Sequence, residues 1–325
     1  MRTAIARLGL TGLGGLLGPL LTSHIAAQAP AATAPKPLTA VIDAYPSPSP
    51  DGRRIVFQSD RTGRPELYVV NADGSGLVKL TDGPGEHVSP VWSPDGARIA
   101  FAHTIDGNSD IFVINADGTG RRRLTDHPGD DSHPHWTADS RRVVFNSPRT
   151  TPDTSVPWSR QWFEAFSIGI DGRGLTQHSR CRAACTYPSL SPDGRRLVYR
   201  KLVATGGVQW DLTPMALNSE VFVANADGSG EVNLSTDPAF DGWPRWSPDG
   251  EWIAFASNRG GPPSVGQVYL IRPDGSGLRQ VTSGPWSHMQ PSWSADGRRL
   301  YVYQSQEEGV EFGRVAVLEV PAPPG

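Results

Sequence analysis

PVWSPDGARIAFAHTIDGNSDIFVINADG, residues 90–118, holds two turn signals, Ser93-Pro94-Asp95-Gly96 and Asp117-Gly118. Between them run two apolar stretches, Ile99-Ala100-Phe101 and Ile111-Phe112-Val113-Ile114. β-Branched and aromatic runs bounded by Asp-Gly read as strands joined by tight hairpins. The first turn recurs at Asp51, Asp95, Asp139, Asp193, Asp249 and Asp296, the second at Asp73, Asp117, Asp171, Asp227 and Asp274. From each second-turn Asp to the next first-turn Asp the step is always 22 residues, whereas the step from first to second is 22, 22, 32, 34 or 25. Strand register does not absorb single-residue slips, so the extra residues must be loop. Four strands per unit, repeated six times at about 44 residues in the shortest copies, is the size of a propeller blade. The expected fold is therefore all-β, a six-bladed β-propeller of four-stranded blades. Both Asp-Gly turns fall on one face of the disc, and the variable loops and blade-to-blade connections on the other. The sixth unit lacks a strand, which the segment 38–42 is expected to supply, so that no sheet edge stays open at the ring junction.

Outside the repeat the chain reads in three short pieces. Residues 1–29 resemble an export signal, with Arg2 and Arg7 before an apolar Leu8–Leu21 stretch and small residues around Ala27 and Ala29. Residues 30–37 read as a flexible tether, 38–320 as the propeller and 321–325 as a tail. A net charge of −3 with 19 % charged residues argues against a nucleic-acid footprint. The expected location is the periplasm or the outside of the cell, with membrane contact only through the signal segment if it is not cleaved, and the protein is expected to be a monomer. An oxidising compartment favours a local bridge between Cys181 and Cys185, although spacing alone does not show that they are close enough.

The six units are similar to the WD-like repeat of the TolB-type propellers. The likeness rests on Pro, two residues, Ser-Pro-Asp-Gly and an apolar run, on the tails Ser59-Asp60-Arg61 and Ser257-Asn258-Arg259, and on Asn71-Ala72-Asp73-Gly74. The resemblance implies a propeller that works through protein contacts in the cell envelope, here as the propeller portion alone. Prolyl-oligopeptidase-like peptidases carry the same propeller, but the chain has no G-x-S-x-G elbow, so their activity is not implied.

Aligned on the first-turn Asp, each inner strand places Tyr45, Ser89, His133, Tyr187, Trp243 or Gln290 just before an equivalent proline. Two residues earlier stand Asp43, His87, Asp131, Cys185, Asp241 and His288. Both sets are expected at the channel mouth, which is either an ordinary solvated funnel or a binding mouth for a polar ligand or peptide. The candidate ligand-binding residues are Tyr45, His87, Asp131, His133, Tyr187, Asp241, Trp243, His288 and Gln290. His133 and His135 share one side of a regular strand and are the candidate metal pair. The resemblance to oligogalacturonate lyases, which use propeller histidines, makes a metal-assisted lyase the alternative to a non-catalytic module without cofactor. Trp158, Trp162 and Trp210 lie on the long loops of blades three and four, which either pack together or present a partner-binding surface. Arg61, Arg149 and Arg259 recur ten residues after the turn Asp and are expected to bind a ligand carboxylate or pair with an Asp of the neighbouring blade.

Overall fold

The computed structural model describes residues 36–37, 42–203, 207–208, 214–215, 218–262, 264–306 and 313–320. The expected signal segment and tail, with Trp210, lie outside them. Six four-stranded antiparallel sheets follow one another along the chain. Their inner strands are Asp43–Pro48, Glu86–Trp92, Ser132–Trp136, Cys185–Leu190, Asp241–Trp246 and Trp286–Trp293. A separate two-stranded piece, Gly207–Val208 with Pro214–Met215, belongs to the long loop of blade four. These are the six blades of a β-propeller, with a single three-residue turn of helix among the described residues, Trp158–Arg160.

The sheets hold together through apolar side chains shared between neighbours. Val56, Leu67 and Val69 of blade one pack with Ile99, Phe101 and Ile114 of blade two, and comparable clusters join each later pair. Ile55 and Phe57 of blade one pack with Tyr301 and Val315 of blade six, so the same physics joins the two ends of the propeller. The second strand of every blade contributes one fully buried ring: Phe57, Phe101, Phe145, Tyr199, Phe255 or Tyr301. Fully burying such a side chain is worth roughly 1.5–3 kcal/mol, which is why the second strand is the most apolar of the four. Indoles stitch adjacent inner strands. Trp136 Nε1 donates to the Val91 carbonyl at 3.0 Å, and Trp246 Nε1 to that of Ser189 at 3.1 Å.

The Asp-Gly turns are locally self-sufficient. In the first, Ser49 Oγ donates to Asp51 Oδ1 (2.6 Å) and accepts from the Arg54 amide (2.9 Å), while Gly52 takes the left-handed φ of +68° that closes the turn. Blade six takes its fourth strand from Lys36–Pro37, paired with Val317 and Ala316. This lies just upstream of the expected 38–42 segment, of which 38–41 fall outside the described residues.

Gly85, in the connection before the inner strand of blade two, has φ +82°. A Cβ there would lie 2.3 Å from the Thr104 carbonyl oxygen and 2.9 Å from His103 Nε2. Gly85→Ala therefore meets both left-handed strain and a clash with backbone, each worth about 1–3 kcal/mol. Gly63 (φ +88°) has open space around it, so Gly63→Ala carries the conformational cost alone. Urea denaturation should rank Gly85→Ala well below Gly63→Ala in stability; equal midpoints would mean that the connection yields.

Candidate binding site at the channel mouth

The inner strands are not regular. In all six the pairing with the second strand slips by a bulge, between Ala44 and Ser47 in blade one and at the equivalent place in the others. The residue at each slip is left-handed: Tyr45 (φ 53°), Ser89 (53°), His133 (53°), Tyr187 (57°), Trp243 (53°) and Gln290 (55°). None is glycine, and a bulky residue in this region is strained by roughly 1–2 kcal/mol. A bulge frees backbone groups from the ladder, and side chains of the preceding blade satisfy several of them. Gln290 Oε1 accepts from the Tyr45 amide (2.7 Å), Gln58 Oε1 from Ser89 (2.8 Å) and Asn146 Oδ1 from Tyr187 (3.3 Å). The following proline lacks an N–H, so it makes no demand on the broken ladder.

The slip turns all six side chains toward the axis on the loop face. They line a cavity of about 670 Å³ with Arg200, Phe240, Phe163 and Tyr303. Tyr45 and Tyr187 hydroxyls meet at 3.3 Å, Tyr187 packs on His133, and Trp243 stands edge-on to Tyr187. Below, the channel narrows to a waist of about 30 Å³ ringed by Pro46, Pro90, Pro134 and Pro291 with Arg245. A second cavity of about 300 Å³ opens on the turn face, among Trp92, Trp136, Trp246, Trp293 and His135.

The expected residues divide in two. Tyr45, His133, Tyr187, Trp243 and Gln290 line the mouth. His87, Asp131, Asp241 and His288 do not; all four are buried beside it, with relative exposures of 0–1 %. The reason is the bulge, which breaks strand parity so that residues two apart no longer share a side. Asp43, Asp131 and Asp241 instead receive Arg61, Arg149 and Arg259 of their own blade, at 2.8, 2.7 and 2.7 Å. The expected pairing with a neighbouring blade is thus corrected to a pairing within the blade. Each guanidinium also faces two aromatic rings, Phe145 and Phe166 in the case of Arg149. The same position in the even blades carries no acid. His87 lies 2.8 Å from Glu66, Cys185 forms a disulfide with Cys181, and His288 donates to Gln267 and accepts from Gln304.

The bulge also separates the candidate metal pair. His133 opens onto the loop-face cavity and His135 onto the turn-face cavity. His133 Nδ1 donates to Asn146 Oδ1 (3.0 Å) and His135 Nδ1 to the Trp136 carbonyl (3.0 Å). Burial pushes both imidazoles down to about 3. Among the described residues no group of three His, Cys, Asp or Glu is placed to hold an ion. Of the loop tryptophans, Trp158 is 47 % exposed and reaches the cavity rim, and Trp162 lies under the Arg182 guanidinium.

Arg200 and Tyr303 escaped sequence reasoning. Both stand seven residues after the turn Asp, in a column that also contains Gln58 and Asn146. Extending the alignment from the inner strand to the second strand would have found them.

A six-bladed β-propeller with a narrow-waisted, aromatic mouth is the class this fold and site define. Its repeats resemble those of the TolB-type propellers: the family described as TolB beta propeller domain matches residues 169–320, and that of the Tricorn protease N-terminal beta propeller domain matches 73–211. The Tol-Pal system protein TolB of Anaeromyxobacter dehalogenans is 50 % identical over 44 residues, 14 % of this chain and 10 % of that protein. The match to this curated relative thus spans about a tenth of its length. Among solved structures, the putative TolB from Agrobacterium tumefaciens superposes with a TM-score of 0.62 at 20 % identity, covering 87 % of this chain and 91 % of that one. An oligogalacturonate lyase in complex with manganese superposes at 0.59 with 13 % identity, covering 87 % and 90 %. At these identities the structural likeness speaks for the fold alone.

Proposed function

We propose that this chain is an exported, TolB-like propeller that binds a protein or peptide of the cell envelope in its loop-face mouth, without catalysis. The observation that carries this reading is the six-fold bulge: six non-glycine residues held in left-handed backbone, all turned into one cavity. Strain repeated at one level of every blade calls for a common purpose. Tyr and Trp supply large contact area at small entropic cost, the composition of recognition hot spots. The similarity to TolB points the same way, to an envelope partner rather than a nucleic acid. The lyase alternative is not favoured by the geometry, because His133 and His135 open onto different cavities.

Immobilised protein exposed to an envelope extract should retain a specific partner. Trp158→Ala at the exposed rim and Tyr187→Ala inside should each weaken retention at least tenfold, the former without loss of stability. Retention unaffected by both substitutions would move the interface elsewhere. Stoichiometric manganese or zinc in the purified protein, lost on His133→Ala with His135→Ala, would instead restore the lyase reading.

A further inference from the structure

We propose that the floor of the mouth is a carboxylate site, in which the Arg200 guanidinium and the Trp243 indole N–H receive the anionic group of the ligand. The proposal rests on the binding reading and names the chemical group recognised there.

Three of the half-buried or buried arginines already discussed, Arg61, Arg149 and Arg259, each hold a carboxylate. Arg200 does not. Its Nε donates to Thr186 Oγ1 at 2.9 Å, and its planar head lies 5.2 Å from the Tyr187 ring and 5.9 Å from that of Phe240. The terminal nitrogens have no hydrogen bond or ion pair among the described residues, and they lie in the cavity wall. Among the described residues, Arg245 at the waist donates only to its own Pro244 carbonyl, at 3.0 Å. Burial lowers both guanidiniums from their ordinary range, Arg245 to about 10, with only the Tyr187 and Tyr45 hydroxyls offsetting it in part.

A neutral donor adds to this. Trp243 is 7 % exposed, lines both the mouth and the waist, and its Nε1 is buried beside the Tyr45 hydroxyl without a well-formed hydrogen bond. A buried donor left unpaired costs about 1–3 kcal/mol, and an unpaired cation more. The carboxylate in the mouth lining is Asp130, which is exposed at the rim and already accepts from the Ser109 amide. The floor is therefore rich in donors and short of acceptors, which is what an anion requires.

Shape selects the class of anion. A planar guanidinium fork matches a carboxylate with two parallel hydrogen bonds. Around it stand Phe163, Phe240, Met289 and Tyr303, so the body attached to the carboxylate is apolar or aromatic. The waist stops an extended chain from passing, which suits the end of a peptide or a side chain inserted from the loop face. A C-terminal carboxylate and an Asp or Glu side chain offer the same group.

Calorimetric titration with three probes separates these sources: N-acetyl-phenylalanine, its amide, and N-acetyl-glutamyl-phenylalanine amide. The first or third, or both, should bind at least tenfold more tightly than the amide. Whichever binds identifies the source. Arg200→Gln should abolish the preference for carboxylate, and Arg200→Lys should retain part of it, which excludes simple unfolding. Equal binding of acid and amide, an unchanged preference in Arg200→Gln, or no binding of either carboxylate at millimolar concentration would overturn the site. If acid and amide bind alike and Trp158→Ala weakens both, the mouth still binds ligands and only the carboxylate site falls. If the acid binds through Arg200 while envelope extracts yield no partner, the site stands and the envelope-partner reading fails.

Discussion

Acidification from pH 7 to pH 5 should cost this protein several kcal/mol of stability, through its buried histidines rather than its carboxylates. Burial holds His133 and His135 down to about 3 and His87 and His288 to about 4, against 6.5 for a free imidazole. Below pH 6.5 the unfolded chain takes up protons that the folded chain refuses, so stability falls as pH falls, and goes on falling until the folded values are reached. Each such histidine contributes at most about 1.4 kcal/mol per pH unit. Asp241 opposes them in part. Its carboxyl is pushed by burial up to about 6 from 3.8, so between those values the folded state holds a proton that the unfolded state has lost. Four imidazoles outweigh it, even with the Asp131 and Glu220 carboxyls also raised by burial, and leave a net loss. Urea midpoints measured from pH 7.5 to 4.5 should fall steadily below 6.5. His288→Gln can keep a hydrogen bond to Gln267 or Gln304 without a titrating ring, and should flatten the slope by about a quarter. A level profile between pH 6.5 and 5 would show that the imidazoles are protonated in the fold.

Arg259→Ala should destabilise the protein by about 3–5 kcal/mol, because it leaves the fully buried Asp241 carboxylate without its counter-ion. The substitution also removes a cation from between Phe255 and Tyr269. Asp241 is the most exposed to this loss. In blades one and three both carboxylate oxygens receive the arginine, whereas in Asp241 only Oδ2 does, at 2.7 Å. Without the guanidinium the carboxyl rises still further, so the variant should be most destabilised at pH 8 and recover as Asp241 becomes protonated. Arg272→Ala breaks an exposed pair with Glu251 and should cost less than about 1 kcal/mol. Chemical denaturation of the two variants at pH 6 and pH 8 decides the matter; similar losses would mean that water reaches Asp241.

The blades were legible because their signal is local and repeated. Asp-Gly pairs fix each turn by positive φ and side-chain capping, and the constant 22-residue step leaves insertions nowhere to go but the loops. The column Tyr45, Ser89, His133, Tyr187, Trp243 and Gln290 was legible for the same reason. What misled was strand parity. A regular strand puts His133 and His135 on one side and carries Asp131 to the mouth, and only the bulge, which has no glycine to announce it, separates them. The pairing of Arg149 with Asp131 was hidden because the two are 18 residues apart across an antiparallel turn, whereas a neighbouring blade seemed equally near. Arg200 was missed for want of comparison down the second strand, where its column otherwise holds Gln58, Ala102, Asn146, Ala256 and Tyr303.

The acids at the head of the inner strands recur in blades one, three and five, with imidazole or disulfide sulfur between them. Six units that look alike in their turns are thus two kinds of module arranged alternately. An odd unit grafted in place of another odd one brings its own counter-ion. Shifted by a single place, it would be set among supports built for uncharged groups. Rearrangement of this ring, by design or by recombination, is easiest in steps of two.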